Sequence, residues 1–227
     1  MTPQRALLAT VALLAVADVV RSAWLPDSFH LAFNLALAAS VAALAWAGGL
    51  SRDELGLCAL RPGLAWGAAA FAIVTGVVIA AAVIAPTWSV FDDPRVELSG
   101  TDLALKVLIT IPLGTVLLEE LAFRGSLLAF LRKLTGAGSA AIISSVLFGL
   151  WHVPGAWKSS GNPGELSQVA ESTLGRLATV LGVVIATTAA GSVFAWLRIR
   201  SGSLLSPALA HIATNSVVLT VAWVVAR

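Results

Sequence analysis

Apolar runs of about twenty residues recur along the whole chain and leave few folds open. They cover residues 6–24, 29–50, 63–85, 102–134, 137–153, 173–197 and 203–226. A helix needs about 20 apolar residues to cross a hydrocarbon core of ~30 Å. The runs are too long for barrel strands and lack the alternation of period two that a barrel wall imposes. In hydrocarbon each segment must satisfy its own backbone N–H and C=O groups, so each run reads as a helix. The expected fold is all-α: a polytopic transmembrane bundle of about seven helices. We read residues 1–227 as a single integral membrane domain without internal repeat or soluble appendage. Charged residues make up 11% of the 227. A soluble domain carries about 25%, so polar surface is too scarce here to cover a globule of this size.

The same accounting removes several function classes. The net charge is +2 and no basic run stands out, so no nucleic-acid partner is expected. The single cysteine, Cys58, excludes an internal disulfide and a Cys-rich metal site. Trp24, Trp46, Trp88, Trp157 and Trp223 lie near run ends, where tryptophan anchors a helix at the interface. Arg5, the apolar run from Ala6 and Ala15-Val16-Ala17 resemble a signal peptide; we read them as a retained first helix. Polar connections fall at Ser51–Pro62, at 87–101 with Asp92 and Asp93, and at 154–172, after Pro154 closes the fifth run. With the N-terminus inside, the inner segments hold Arg5, Arg52, Arg61, Arg132, Lys133, Arg198 and Arg200. The outer ones hold Arg21, Arg95 and Lys158. That bias favours N-terminus in and C-terminus out. The fourth run is too long for one crossing: Leu103–Leu134 would span about 48 Å as a helix. Pro112, followed by Gly114, is where a kink is expected.

Inside that run stands Leu117-Leu118-Glu119-Glu120-Leu121-Ala122-Phe123-Arg124-Gly125. Each charge at the bilayer centre costs about 2.5–3.5 kcal/mol on insertion scales, so such residues usually have a function. Glu120 and Arg124 are four apart and pair on one helix face. Glu119 points about 100° away. Of the three histidines, His152 ends the fifth run, and His211 shares a face of the seventh with Asn215. Counting 1.5 Å per residue from the helix ends at Arg132, Ala137 and Ser203 places the four groups in one layer. Glu119 is about 20 Å deep, His152 about 22 Å, His211 about 12 Å and Asn215 about 18 Å. Taken singly, each has a structural explanation. Glu120–Arg124 is an ion pair, His152 a helix-end histidine, and His211 with Asn215 interhelical hydrogen-bonding glue. His30, with no acidic partner nearby in sequence, Asp18 and Asn34 are assigned such structural roles. Gathered at one depth, Glu119, His152, His211 and Asn215 read as a site.

The pattern Glu119-Glu120-x3-Arg124, Phe148-x3-His152 and His211-x3-Asn215 resembles the CAAX protease and bacteriocin-processing family of intramembrane proteins. Gly125 and the lead-in Gly202-Ser203-Leu204-Leu205-Ser206-Pro207 also fit. The resemblance covers roughly residues 100–220; the first two runs carry no family signal. It implies hydrolysis of a peptide bond in a membrane-associated peptide or protein, without naming the substrate. The family includes the eukaryotic protease that removes three residues after a prenylated cysteine. It also includes bacterial proteins linked to bacteriocin maturation or immunity. The Ala-rich, Tyr-free composition points to a bacterial cytoplasmic membrane, where prenylated substrates are not expected.

Hydrolysis needs an activated water and donors for the oxyanion. Glu119 is the expected base, because a carboxylate in an apolar setting is tuned towards proton uptake. His152 holds the same water, His211 and Asn215 donate to the oxyanion, and Glu120, Arg124 and Phe148 support the site. No cofactor is expected. The alternative is a zinc ion on Glu119, His152 and His211, a known catalytic ligand set; no His-Glu-x2-His motif fixes its spacing. Two other readings are a non-enzymatic immunity or scaffold protein and a transporter with a carboxylate relay. No inverted repeat supports transport.

Overall fold

The computed structural model describes residues 1–84, 97–160 and 172–227. Among them, seven helices are long and apolar enough to cross a membrane. They are α1 (Pro3–Ala23), α2 (Asp27–Ala47), α3 (Leu60–Ile84), α4 (Gly100–Thr135), α5 (Ala137–Ser159), α6 (Thr173–Ser201) and α7 (Leu205–Val225). No strand occurs among the described residues, so the bundle is all-α, as the run lengths require. Trp88, Asp92, Asp93 and Arg95 lie outside the described residues, as does most of the expected connection after Ser160.

The inside of the bundle is built around α4. Leu14 and Ala17 of α1, Leu37 and Val41 of α2, and Leu118 and Phe123 of α4 share one buried cluster with Phe148 and Trp151 of α5. By contrast α3 and α6 are apolar nearly all round and mostly uncovered, with Ile73, Val83, Leu174 and Ile185 exposed. Such faces suit hydrocarbon rather than water. The α4–α5 turn is Gly136 at φ +88°, a conformation that side chains with a Cβ resist. So tight a turn sends α5 back antiparallel to α4.

On one side of the bundle, the α2–α3 connection ties several helix ends together. Ser51 and Glu54 form a reciprocal cap: the Ser51 N–H donates to Glu54 Oε2 (2.8 Å) and the Glu54 N–H to Ser51 Oγ (3.2 Å). Lys133 at the end of α4 pairs with Glu54 at 2.7 Å. Arg198 near the end of α6 donates to the Glu54 carbonyl at 2.8 Å, and the Leu204 N–H to the Gly56 carbonyl at 2.9 Å. These contacts place Arg52, Arg132, Lys133, Arg198 and Arg200 on the same side.

Two helices depart from regular geometry, and both departures shape the site. In α4 Pro112 lies inside a π-type segment, Lys106–Val116, of a helix that runs from Gly100 to Thr135. Proline has no N–H to give. Past it, the Leu117 N–H reaches back five residues to the Pro112 carbonyl. A second π-type segment covers Glu120–Leu127. In α5 the expectation of a loop from Pro154 onward is corrected. The chain breaks at His152 and resumes as a helix over Val153–Ser159. Pro154 falls in the first turn of that second piece, where an absent N–H leaves no bond unmade.

Candidate functional site

The switch from α to π winding at Glu120 lets two adjacent carboxylates both turn inward. Glu119 and Glu120 are buried, whereas Leu117 is exposed. Glu120 Oε1 accepts from Arg124 Nη1 at 3.2 Å and from His211 Nδ1 at 2.8 Å. The Arg124 guanidinium is 1% exposed and lies over the rings of Phe148 (4.0 Å) and Phe194 (5.0 Å). Stacking on aromatic faces suits a weakly hydrated, planar cation. Close approach of α6 depends on Gly191: a Cβ there would stand 3.1 Å from Phe148 and 3.2 Å from Arg124 Nη2.

Glu119 has a different environment on each oxygen. Oε1 accepts from the Trp151 indole N–H at 3.0 Å. Oε2 is buried with no hydrogen-bond partner among the described residues, and stands 3.7 Å from His211 Nε2. Thus His211 bridges the two carboxylates, bonded to Glu120 through Nδ1 and facing Glu119 with Nε2. Its ring stacks on Phe194, with centroids 5.0 Å apart and planes 24° apart.

His152 owes its orientation to the helix break. Its N–H bonds to the Gly149 carbonyl in a tightened last turn, which releases the Phe148 carbonyl from its usual i+4 partner. His152 Nδ1–H donates to that carbonyl at 2.7 Å. A carbonyl only accepts, so the proton is on Nδ1, and in the neutral ring Nε2 is the acceptor. Phe148 stands between the two histidines, 4.7 Å from the His152 ring and 5.9 Å from that of His211, edge-on to both.

Asn215 lies in a π-type turn of α7, Ala213–Val217. Its Oδ1 accepts from Thr214 Oγ1 at 3.5 Å. Among the described residues no hydrogen bond joins it to Glu119, Glu120 or His152. Nor is any group of three or more His, Cys, Asp or Glu among the described residues placed to hold a metal ion. The zinc set of Glu119, His152 and His211 is therefore not gathered to ligand geometry, and no step is derived through it. His30 is in the first turn of α2, its Nε2 3.2 Å from the Leu25 carbonyl. The expectation that it lacks a neighbouring acid is corrected: Nδ1 is 3.7 Å from Asp27. Asn34 is buried, and its Oδ1 has no hydrogen-bond partner among the described residues. Asp18, also buried, pairs with Arg21 at 2.8 Å.

Sequence reasoning missed Trp151 and Phe194, which touch the charged groups directly. Both are aromatics in apolar runs, where neither charge nor spacing marks them. The one available signal was adjacency: Trp151 precedes His152. A family model described as type II CAAX prenyl endopeptidase Rce1-like matches residues 101–217. Comparison with curated proteins and with solved structures finds no match. The matched stretch is more than half of the chain, runs from α4 into α7 and contains all three motifs. The chain therefore belongs to the Rce1-like family of type II CAAX prenyl endopeptidases, a family of membrane proteases.

Proposed function

We propose that the chain is an intramembrane endopeptidase in which Glu119 activates the attacking water. The observation that carries this reading is the asymmetry of Glu119. One oxygen is fixed by Trp151, and the other faces His211 Nε2 across 3.7 Å. That gap is too long for a direct hydrogen bond and suits a water bonded to both groups. Glu119 takes a proton as the water oxygen bonds to the peptide carbonyl carbon. The C–N bond then breaks as the same proton passes to the leaving nitrogen. His152 Nε2, an acceptor in its neutral ring, assists this transfer. His211, when it carries its second proton, donates from Nε2 to the oxyanion, joined by the Asn215 amide. Arg124 pairs with Glu120 and leaves Glu119 to act as the base. No cofactor enters this scheme. We place the protein in a bacterial cytoplasmic membrane with its N-terminus inside, a reading supported by the basic residues gathered on one side.

The test is cleavage of membrane peptides, including prenylated and unprenylated CAAX peptides, by protein reconstituted in lipid. Glu119→Gln keeps the shape and removes the base. Turnover should fall by about 10²–10⁴-fold while the protein stays folded. Asn215→Ala should lose less, up to the roughly 2.7–4 kcal/mol measured for one oxyanion donor. Chelation should leave activity intact. Full turnover in folded Glu119→Gln overturns the mechanism, and loss of turnover on chelation overturns its metal-free form. No cleavage of any peptide by wild type would favour the immunity, scaffold or transport readings.

A further inference from the structure

We infer that α1, which lies outside the matched family region, is part of the catalytic apparatus: its Asp18–Arg21 pair holds the indole of Trp151, and Trp151 positions Glu119. The inference rests on the proposed role of Glu119 as base. Trp151 is buried, and its N–H donates to Glu119 Oε1 at 3.0 Å. The Arg21 guanidinium lies over the same indole, 5.2 Å from a ring centroid, within the ~6 Å range of a cation–π contact. Arg21 Nη2 is held in turn by Asp18 Oδ1 at 2.8 Å.

Three features favour positioning over simple packing. Packing alone leaves the indole incompletely held, because it borders a cavity of about 420 Å³ lined also by Leu14, Asp18, Phe123 and Leu150. Electronically, a cation over the face of an indole draws density from the ring. The N–H becomes a stronger donor, so the Arg21 contact and the Glu119 bond reinforce each other. Finally, the N–H occupies one Glu119 oxygen and leaves the other to face His211. Without that bond the carboxylate is free to rotate about its last torsion and divide its time between productive and unproductive orientations. Trp151, Arg21 and Asp18 are thus positioning residues. They act through Glu119 and touch no reacting atom.

The experiment uses the full chain in lipid and separates kcat from KM. Trp151→Phe keeps the ring and removes the N–H. Turnover should fall by up to about 100-fold with KM within about twofold, since substrate binding does not use this bond. Arg21→Gln should lower kcat in the same direction, and Arg21→Lys, which restores a cation, should recover part of the loss. A spectroscopic readout accompanies the kinetics. The Trp151 indole ¹H–¹⁵N resonance, identified by its absence in Trp151→Phe, should move upfield in Glu119→Ala. It should also move in Arg21→Gln, and move less in Arg21→Lys. Wild-type kcat in folded Trp151→Phe overturns the inference. If that variant does not fold, equal and full activity of Arg21→Gln and Arg21→Lys overturns it instead. The two proposals fail separately: Glu119→Gln tests the base, whereas a silent Trp151→Phe beside an inactive Glu119→Gln removes only the positioning role.

Discussion

Arg124→Ala should destabilise the fold well before it reveals anything about chemistry, and the structure sets the scale. Arg124 and Glu120 are 1% and 2% exposed, with 3.2 Å between them. Glu120 Oε2 has no hydrogen-bond partner among the described residues, so loss of Arg124 leaves the carboxylate with His211 alone on Oε1. Removing one member of a buried pair costs about 3–5 kcal/mol, largely because the remaining charge stays buried. The guanidinium also stacks on Phe148 and Phe194, contacts worth roughly 0.5–2 kcal/mol each. These terms share partners and do not simply add. Even the lower figure is a large share of a typical stability of about 5–15 kcal/mol. The double variant Glu120→Gln with Arg124→Met removes both charges and keeps an acceptor for His211. It should therefore be more stable than Arg124→Ala alone. Thermal unfolding and the yield of monodisperse protein in detergent measure the order. An Arg124→Ala protein with wild-type melting and yield but no turnover would refute this reasoning and put Arg124 in the catalytic step.

Three further outcomes follow from other parts of the structure. Cys58 is exposed in the α2–α3 connection and is the single cysteine, so an impermeant maleimide should label inverted vesicles and spare intact cells; labelling of intact cells would reverse the N-in orientation. Gly191→Ala would set its new Cβ 3.1 Å from Phe148 and 3.2 Å from Arg124 Nη2, costing about 1–3 kcal/mol in thermal unfolding; an unchanged melting temperature would show that α6 yields freely there. Glu54 has its carboxyl held below the ordinary glutamate range, first by Lys133 and then by the Ser51 N–H. Its folded value is thus the lower one, so its stabilisation is present above the unfolded value and lost as pH falls through the folded value. Glu54→Gln should flatten the acid side of the stability profile, and an identical profile would discount the pair.

What the sequence made legible is what one span can show by itself. Hydrocarbon thickness fixes the length of a crossing, so the seven spans stood out as runs. A charge in such a run is costly, so Glu119, Glu120 and Arg124 stood out in turn. Glu120–Arg124 is also a polar contact that falls within a single helix at a readable spacing. Even here periodicity stopped short. An α-helical wheel places Glu119 about 100° from Glu120, yet π winding beside them buries both. Winding of that kind depends on how neighbouring helices satisfy the backbone, which no local spacing encodes.

The other contacts cross between helices, which explains why they were not legible. Trp151 meets Glu119 across 32 residues of chain, and His211 meets Glu120 across 91. Neither indole nor phenyl interrupts an apolar run, so beyond the adjacency of Trp151 to His152 neither Trp151 nor Phe194 differs in sequence from residues that face lipid. His152 illustrates a subtler case. Its position was legible, but its tautomer depends on a carbonyl that is free because the helix tightens before Pro154. Reading Pro154 as the end of the helix concealed this, since the proline instead begins a second piece and the break falls at the histidine itself. In sequence Asp18 reads as structural, like His30 and Asn34. What distinguishes it is Arg21 above the Trp151 ring, a contact between α1 and α5. The charged residues therefore mark the candidate site, while their orientation depends on apolar and aromatic neighbours that become identifiable once the helices are packed.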